Sequence, residues 1–220
     1  MVKRVFFLIF KPTYAHVNHY KDLKKLIFDL YRNNELIGQH VYLFKREGTN
    51  LIVENNLDVE IKKFGITLYT YQSKGKEEYI DGKFASFSSK TKQNEKNKFS
   101  KIYKKNNNFF IEGSSYKGKA PKEFIIGTWW NHSIIKSKTQ ISAISGRILE
   151  QSVTFLGKEN IEINNKKYKA LKFNFLSKDN KPIKDKKLNT DIWYDENTLI
   201  MLKASYKKKG DWEYRLKSIE

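Results

Sequence analysis

Short runs of alternating apolar and polar residues recur along nearly the whole chain and are separated by Asn, Gly, Asp or Lys. Because successive side chains of a β-strand point to opposite faces, this period of two predicts strands with one buried and one solvated face. Many such strands joined by short turns are typical of antiparallel sheet proteins. In residues 51–62 the two phases are Leu51, Val53, Leu57, Val59 and Ile61 against Glu54, Asn56, Asp58, Glu60 and Lys62.

The alternating runs predict a mainly β fold with a single domain over residues 22–220. We expect one large curved antiparallel sheet of about 11–12 strands, half-open or closed into a barrel, because strongly twisted sheets of more than about ten strands tend to curl. Residues 123–135 interrupt the alternation, since their apolar side chains lie nearly all around a helical wheel, and Pro121 suits the first turn of a helix. The sequence therefore predicts one short central helix, near residues 121–135, that plugs the concave face of the sheet.

Several kinds of chemistry are excluded or left without support by the sequence. There is no cysteine, which excludes disulfides, zinc–thiolate sites and thiol nucleophiles. His16 and His19 have helical spacing but no third ligand nearby, so no metal site is predicted. No Gly-x-Ser-x-Gly nucleophile elbow is present. We expect a non-catalytic protein without a cofactor, and the alternative is a hydrolase that carries no recognisable motif.

The formal net charge of +19 comes from lysine far more than from arginine. Arg32, Arg46, Arg147 and Arg215 are the arginines after residue 4, and specific phosphate and base recognition depends strongly on arginine. Most lysines fall on the polar phase of the strands or in turns, which favours a solvated basic surface. The alternatives are a face attracted to anionic membranes and, less favoured by this composition, nucleic-acid binding.

Residues 1–15 have the order of a short export signal. Lys3 and Arg4 precede the apolar run 5–10, and Thr13 and Ala15 supply small residues at the −3 and −1 positions of a cleavage after Ala15. The apolar run is shorter than a normal signal core, so the alternative is a first β-strand in a cytoplasmic protein. We expect an exported, periplasmic protein.

Four segments carry a resemblance to a known family: residues 28–38, Gly127-Thr-Trp-Trp-Asn131, Gly146-Arg147 with Leu156-Gly157, and Asp191-Ile-Trp-Tyr-Asp195. Together they resemble an uncharacterised family of exported proteobacterial proteins known only as a domain of unknown function. That family is similar in plan to curved β-sheet periplasmic proteins that include the lipoprotein carriers. The resemblance implies an open or half barrel with a helix across its mouth and an apolar ligand, and it brings no catalytic residues.

The tandem tryptophans provide the candidate ligand site. Consecutive helical residues point about 100° apart, so one ring can fill the core while the other faces a cavity, and a polar neighbour can orient a ligand head group. The alternative is that both rings only pack the helix onto the sheet. The predicted ligand-binding residues are Trp129, Trp130, Asn131, His132 and Trp193. Asp191 lies on an aromatic strand face, which predicts a structural ion pair with Arg147.

These features favour a protein that binds an apolar or amphipathic, lipid-like molecule without catalysis. The lysine-rich surface also suits a peripheral contact with anionic membranes. The alternative is a structural or interaction protein whose solid core supports strand edges or basic loops that dock a partner.

Overall fold

The computed structural model describes residues 17–220, which contain one 15-stranded sheet. The predicted export signal, residues 1–15, lies outside these residues. Three short 3₁₀ helices occur at Val17–Tyr20, His132–Lys136 and Ile183–Asp185. The strands are β1 (Lys25–Arg32), β2 (Glu35–Glu47), β3 (Asn50–Lys63), β4 (Ile66–Ile80), β5 (Lys83–Gln93), β6 (Lys96–Lys105), β7 (Asn108–Gly113), β8 (Lys117–Lys119), β9 (Ile125–Ile126), β10 (Thr139–Ile141), β11 (Ile148–Ile163), β12 (Lys166–Ser177), β13 (Asn189–Asp195), β14 (Met201–Lys207) and β15 (Asp211–Ile219).

The first and last strands pair with each other in the middle of the sheet. From this β1–β15 pair, the chain meanders outwards to β8 on one side and to β9 on the other. Neighbouring strands are antiparallel except for the short parallel pair β9–β10. Because β8 and β9 form the two edges, the sheet is curved but not closed. The prediction of a single large, mainly antiparallel curved sheet is confirmed.

The sheet has more strands than the 11–12 predicted, and the differences lie where the alternation is weakest. β8, β9 and β10 contain only two or three residues each, which is too short for a period to be recognised. Conversely, β11 is continuous through a bulge at Gly157, although the sequence there indicates two strands. A bulge inserts an extra residue, so the inward and outward phases exchange and the pattern breaks while the pairing continues.

The hairpin turns follow the expected chemistry of a right-twisted antiparallel sheet. Several have two central residues with positive φ, the geometry of a type I′ turn, in which Asn and Gly are favoured. Four of these turns have Asn-Asn or Asp-Gly sequences: Asn33-Asn34, Asp81-Gly82, Asn106-Asn107 and Asn164-Asn165.

The helix predicted near residues 121–135 is present only as the 3₁₀ helix His132–Lys136, and the rest of the predicted stretch is not helical. Residues 127–138, called the plug segment below, cross the concave face as an irregular chain that contains only the five-residue 3₁₀ helix. A helix cannot accommodate Trp129, whose φ is +61°. The backbone of the plug segment is satisfied partly by turns, such as the N–H of Trp130 that donates to the carbonyl oxygen of Thr128 at 2.9 Å, and partly by the tyrosine side chains described below. An apolar run cannot by itself distinguish a buried helix from a buried irregular segment.

The inner, concave face of the sheet carries most of the core. In residues 51–62 the phase of Leu51, Val53 and Val59 is buried, as the alternation predicts. The outer face carries the charged rows and their ion pairs, such as Lys203 with Glu213 at 2.9 Å. The plug segment packs against the inner face, and Trp130 is part of the same buried cluster as the strand residues. The concave side is therefore filled largely by the chain itself.

Candidate functional site

A buried carboxyl on β4 attaches the plug segment to the sheet. Glu77 is 1% exposed, and its Oε1 accepts hydrogen bonds from Thr128 Oγ1 at 2.6 Å and from Trp130 Nε1 at 2.9 Å. The hydroxyl of Tyr79 donates to the other carboxyl oxygen at 2.7 Å. Burial raises the pKa of Glu77 above its ordinary value, and the three hydrogen bonds only partly oppose that shift.

Trp130 fills the space beside this carboxyl. Its side chain is fully buried, and its ring makes edge contacts with Phe44 at 5.2 Å, Tyr20 at 5.5 Å and Tyr79 at 6.0 Å between ring centroids. Edge-to-face contacts of this kind are favourable beyond the area they bury. The ring is thus a core element with a saturated hydrogen-bonding group.

Tyrosine hydroxyls satisfy the backbone of the plug segment. Tyr42 donates to the carbonyl oxygen of Thr128 at 2.6 Å, and Tyr194 donates to that of Trp129 at 3.0 Å. The hydroxyl of Tyr20 accepts from the backbone N–H of residue 132 at 3.0 Å. Buried backbone groups need such partners, so these side chains permit a non-helical path across the core.

Next to this well-paired region lies a group of buried polar atoms with few partners. Nε1 of Trp129, Nδ2 of Asn55 and both ring nitrogens of His40 are shielded from solvent and make no hydrogen bond of good geometry. The side chains of Asn55 and His40 are nevertheless close enough to act on each other as hydrogen-bond partners. The rings of Trp129 and His40 both lie 5.9 Å from the ring of Tyr214, on β15. Asn55 is near His40, because it pairs across the strands with Tyr42, whose ring is 4.3 Å from His40. These three residues form what we call the inner polar group.

The electrostatics of the inner polar group are those of neutral side chains. Burial lowers the pKa of His40 from 6.5 to about 3, and a hydrogen bond with the side chain of Asn55 opposes only part of that shift. The imidazole is therefore uncharged at neutral pH and can both donate and accept one hydrogen bond. Native proteins contain few buried polar atoms without partners, so a cluster of them needs an explanation.

Two of the predicted ligand-binding residues serve the structure of the plug segment itself. Asn131 caps the 3₁₀ helix, and its side-chain oxygen accepts hydrogen bonds from the backbone N–H of Ser133 at 3.0 Å and from its hydroxyl at 2.6 Å. The ring of His132 packs against Tyr194, with 5.0 Å between centroids, and against Phe173 at 6.4 Å. Trp129 alone, of the four consecutive residues 129–132, contributes to the inner polar group.

Trp193 does not join the tryptophans of the plug segment. It lies on the outer face of β13, where the ammonium groups of Lys172 and Lys203 stand 4.6 and 5.1 Å from its ring centroid. Its Nε1 donates to the carboxylate of Glu159. Grouping Trp193 with Trp129 and Trp130 was wrong because the two sets occupy opposite faces of the sheet.

The predicted ion pair between Asp191 and Arg147 is also wrong. Asp191 shares the outer face with Trp193 and accepts a hydrogen bond from Asn174 Nδ2 at 2.7 Å, with Lys172 Nζ 3.5 Å away. Arg147 is exposed in the connection between β10 and β11. The sequence pattern predicts that the phase of β13 with Trp193 is buried in the core, whereas Trp193 faces outwards and lysine stems cover it.

Comparison with known proteins places the chain in a family. The family model for a domain of unknown function, DUF6134, matches residues 28–217. The chain belongs to the DUF6134 family. This match covers the plug segment, the inner polar group and nearly every strand. None of the curated proteins compared with the DUF6134 chain matches it.

The fold of the DUF6134 protein is similar to a crystal structure, that of the beta-barrel-like protein of domain of unknown function DUF1849 from Brucella abortus. The TM-score is 0.61 at 12% sequence identity, and the alignment covers 90% of this chain and 98% of that chain. At this identity the likeness establishes the fold alone. The expected resemblance to a domain of unknown function with a curved sheet is confirmed.

We also searched the described residues of the DUF6134 protein for metal sites, membrane-spanning helices and surface depressions. Within residues 17–220, no three His, Asp or Glu side chains are grouped so that they could hold a metal ion. Over the same range, no helix has the length and apolar character needed to span a bilayer. One surface depression is lined by residues 21–24 with Phe44 and Arg46, and another is lined by residues 166–169 with Asp195, Asn197 and Thr198.

Glu77, His40 and Asn55 are site residues that the sequence pattern does not predict. One signal for Glu77 was available, since it shares its phase with Tyr79 and Tyr71, and an acid on the aromatic phase of a strand indicates burial. The break in alternation at residues 73–77 obscured that phase, because the sequence there reads as two strands.

Proposed function

We propose that this protein binds an apolar or amphipathic ligand on the inner face of its half-barrel, without catalysis. One observation carries the proposal: inside an aromatic core, the inner polar group holds Trp129 Nε1 without a partner and the side chains of Asn55 and His40 with no partner but each other. Ligand sites are commonly apolar with a few well-placed polar groups. A ligand that supplies acceptors would satisfy atoms that the chain itself leaves unpaired.

The charge state of the inner polar group indicates which chemical class of ligand it suits. Trp129 Nε1 and Asn55 Nδ2 are donors, and His40 is neutral because its pKa is low. No formal charge is thus available there to balance a phosphate or a carboxylate. An uncharged acceptor, such as an ester or amide carbonyl attached to an aliphatic chain, suits these donors best.

Entry of such a ligand requires a shift of the plug segment, since Trp130 and the neighbouring rings fill the core. The strained φ of Trp129 supports a role for that residue in the movement. Backbone strain of this kind is found preferentially at ligand clamps and switches. We place the action of the protein in the periplasm, on the basis of the export signal predicted in residues 1–15.

Native mass spectrometry of protein purified from its expressing cells tests the proposal. We expect a bound molecule of lipid-like mass, and we expect Trp129→Phe to lower its occupancy because this change removes the Nε1 donor but keeps the ring. Trp212→Phe is the matched control, since the Nε1 of Trp212 donates to a backbone carbonyl outside the inner polar group. A wild-type protein that carries no ligand and takes up none from fatty-acid ester micelles would contradict the proposal.

A second candidate function is docking of a partner by a protein with a solid core. The complete burial of Trp130 and the saturated hydrogen bonds of Glu77 favour it. In that case the working surface is the exterior, and Trp129→Phe leaves every interaction of the protein unchanged. Subcellular fractionation tests the location for both candidates: recovery only in the cytoplasm would contradict export.

A further inference from the structure

The turn between β3 and β4 exposes a phenylalanine in an unfavourable backbone conformation. Phe64 is 91% exposed, and its φ is +52°, followed by Gly65 at +77°. For most L-residues the left-handed region is unfavourable, and an exposed aromatic ring gains nothing from burial. Folding alone therefore does not account for a phenylalanine at this position.

The other hairpin turns of the same geometry show what local chemistry normally selects. Their first central residue is Asn33, Asp81, Asn106 or Asn164, residue types that tolerate positive φ and hydrogen-bond water. Phe64 is the single bulky apolar residue among the first positions of these turns within residues 17–220. A residue that breaks a local rule without an intramolecular gain is characteristic of a functional position.

The hairpin that carries Phe64 extends beyond its neighbours in the sheet. Pairing of β2 with β3 ends at Val59, and pairing of β4 with β5 begins at Tyr71. Residues 60–70, called the Phe64 hairpin below, therefore form a two-stranded extension of about 13 Å, at about 3.3 Å per residue. Phe64 is at its end.

The remaining side chains of the Phe64 hairpin extend the exposed apolar surface. Ile66 is 65% exposed and Leu68 is 56% exposed, so three large apolar side chains lie within five residues of chain. Exposed apolar patches on soluble domains mark interaction sites more often than isolated apolar residues do. Lys63 borders the patch, with its ammonium group 5.4 Å from the ring of Phe64, and Lys62 precedes it.

Basic turns lie at the same end of the sheet. Tyr69, at the base of the hairpin, contacts the ring of Trp212 with 6.5 Å between centroids, and Trp212 follows the turn that contains Lys207, Lys208 and Lys209. The next connection on that side, residues 178–187, has five lysines against two aspartates. The pKa of Lys187 is lowered, first by the charge of Lys181 and then by Arg147 and Lys208, so these cations are close together. The protruding apolar tip is thus accompanied by concentrated positive charge.

We propose that the Phe64 hairpin is a membrane-contact element that inserts Phe64, Ile66 and Leu68 into the head-group boundary of an anionic phospholipid bilayer. The lysines on the hairpin and the adjacent basic turns contact the phosphate groups. Apolar anchors combined with a polybasic surface are the two signals that give stable peripheral binding. This surface is separate from the inner polar group, and its role does not depend on whether the interior holds a ligand.

A bilayer fits this surface better than a protein partner for two reasons. Specific protein interfaces usually bury about 800 Å² per partner, whereas the apolar tip consists of three side chains on a narrow extension. The strong positive charge around it complements a diffuse anionic surface and requires no defined geometry. The exposed strand edges of the hairpin limit insertion to the side chains, because backbone groups need water or partners.

Vesicle co-sedimentation of the full chain tests the proposal. The probes are vesicles of phosphatidylcholine alone and of phosphatidylcholine mixed with phosphatidylglycerol. We expect binding to the anionic vesicles that weakens as salt is added, and we expect Phe64→Asn to lower the partition coefficient about tenfold, from the burial energy of one aromatic side chain. Asn is the residue that this turn geometry favours, so loss of fold cannot explain the loss of binding.

Ile80→Asn is the matched control. Ile80 is 55% exposed and precedes the Asp81-Gly82 turn at the opposite end of the same strand, so its replacement removes a similar exposed apolar side chain outside the Phe64 hairpin. Retained binding of this variant supports the proposal. Equal binding of wild type and Phe64→Asn would overturn it by showing that lysines alone carry the contact. Failure of the wild type to bind anionic vesicles would overturn it in favour of a protein partner, whereas the interior site is judged separately by the ligand mass.

Discussion

Two aromatic residues of this protein, Trp129 in the plug segment and Phe64 in the Phe64 hairpin, adopt the same unfavourable backbone conformation with opposite surroundings. The φ angles are +61° and +52°. At Trp129, the hydroxyl of Tyr194 binds the carbonyl oxygen and Tyr214 packs against the ring. At Phe64, the ring contacts one lysine ammonium group and is otherwise exposed.

This difference indicates that the interior around Trp129 stabilises the fold, whereas the Phe64 hairpin is available for interaction. In the interior, tertiary contacts offset local strain, and the region around Trp130 and Glu77 supplies stability. At the Phe64 hairpin, the exposed contact with the Lys63 ammonium group offsets the strain only in part, so the fold would be at least as stable with Asn there. Substitutions in the two regions should therefore have effects of opposite sign on the free energy of unfolding.

The largest effect is expected for Trp130→Ala. This change removes a fully buried ring that contacts Tyr20, Phe44 and Tyr79, and such truncations cost about 3–5 kcal/mol of unfolding free energy. Urea denaturation of wild type and variant measures it. A loss below about 1 kcal/mol, in the range of ordinary surface substitutions, would show that the interior does not supply the stability of the fold.

A smaller loss is expected for Glu77→Ala, which leaves Thr128, Trp130 and Tyr79 without their acceptor. Unpaired buried donors cost about 1–3 kcal/mol each, and part of this cost is relieved by relaxation around the shortened side chain. Glu77→Gln retains acceptor and shape, so it should retain most of the stability. If both variants lose the same free energy in urea denaturation, the hydrogen bonds of this side chain are not what stabilises the plug segment.

The pKa of Glu77 predicts how the difference in stability between the wild type and Glu77→Gln depends on pH. Because burial raises the folded-state pKa above the ordinary value of 4.5, the folded protein binds this proton more tightly than the unfolded chain does. The stability that this group contributes is therefore greatest below about pH 4.5 and is lost as the pH rises through the folded-state value. As the pH rises, the unfolding free energy of the wild type should therefore fall relative to that of Glu77→Gln. A constant difference would contradict the assigned direction.

An effect of opposite sign is expected for Phe64→Asn. Since Asn tolerates positive φ, the variant should gain up to about 1 kcal/mol in unfolding free energy. Gly65 and the flanking strands are unchanged, so the gain reports on position 64 alone. Destabilisation by this substitution would mean that contacts of Phe64 within the chain outweigh its backbone strain. Phe64 would then resemble Trp129, whose strain is offset by its contacts.

The smallest effect is expected for Asp191→Asn. Its carboxylate is 29% exposed and contacts Asn174 and Lys172 on the outer face, and surface pairs of this kind contribute about 0–1 kcal/mol. The measurement is again the denaturation midpoint. A loss of several kcal/mol would restore the buried ion pair that the sequence predicts for this residue.

The sequence predicts the sheet better than it predicts the site. Strands such as β3 are predictable because the inner and outer phases of residues 51–62 differ in composition. The Asn-Asn turns are predictable because Asn tolerates the positive φ that these turns require. The path of the plug segment is not predictable, since its backbone is satisfied by Tyr42 and Tyr194, which are distant in sequence. The outward position of Trp193 is not predictable for a similar reason, because the lysines that pack on its ring, Lys172 and Lys203, belong to neighbouring strands.

The measurement that tests the separation of stability and interaction most directly is hydrogen exchange of the wild-type protein with and without phosphatidylglycerol-containing vesicles. Vesicles should slow exchange in residues 60–70 and leave the protected amides of the plug segment and of β4 near Glu77 unchanged. Unchanged exchange in the Phe64 hairpin, or a vesicle effect confined to the plug segment, would contradict it.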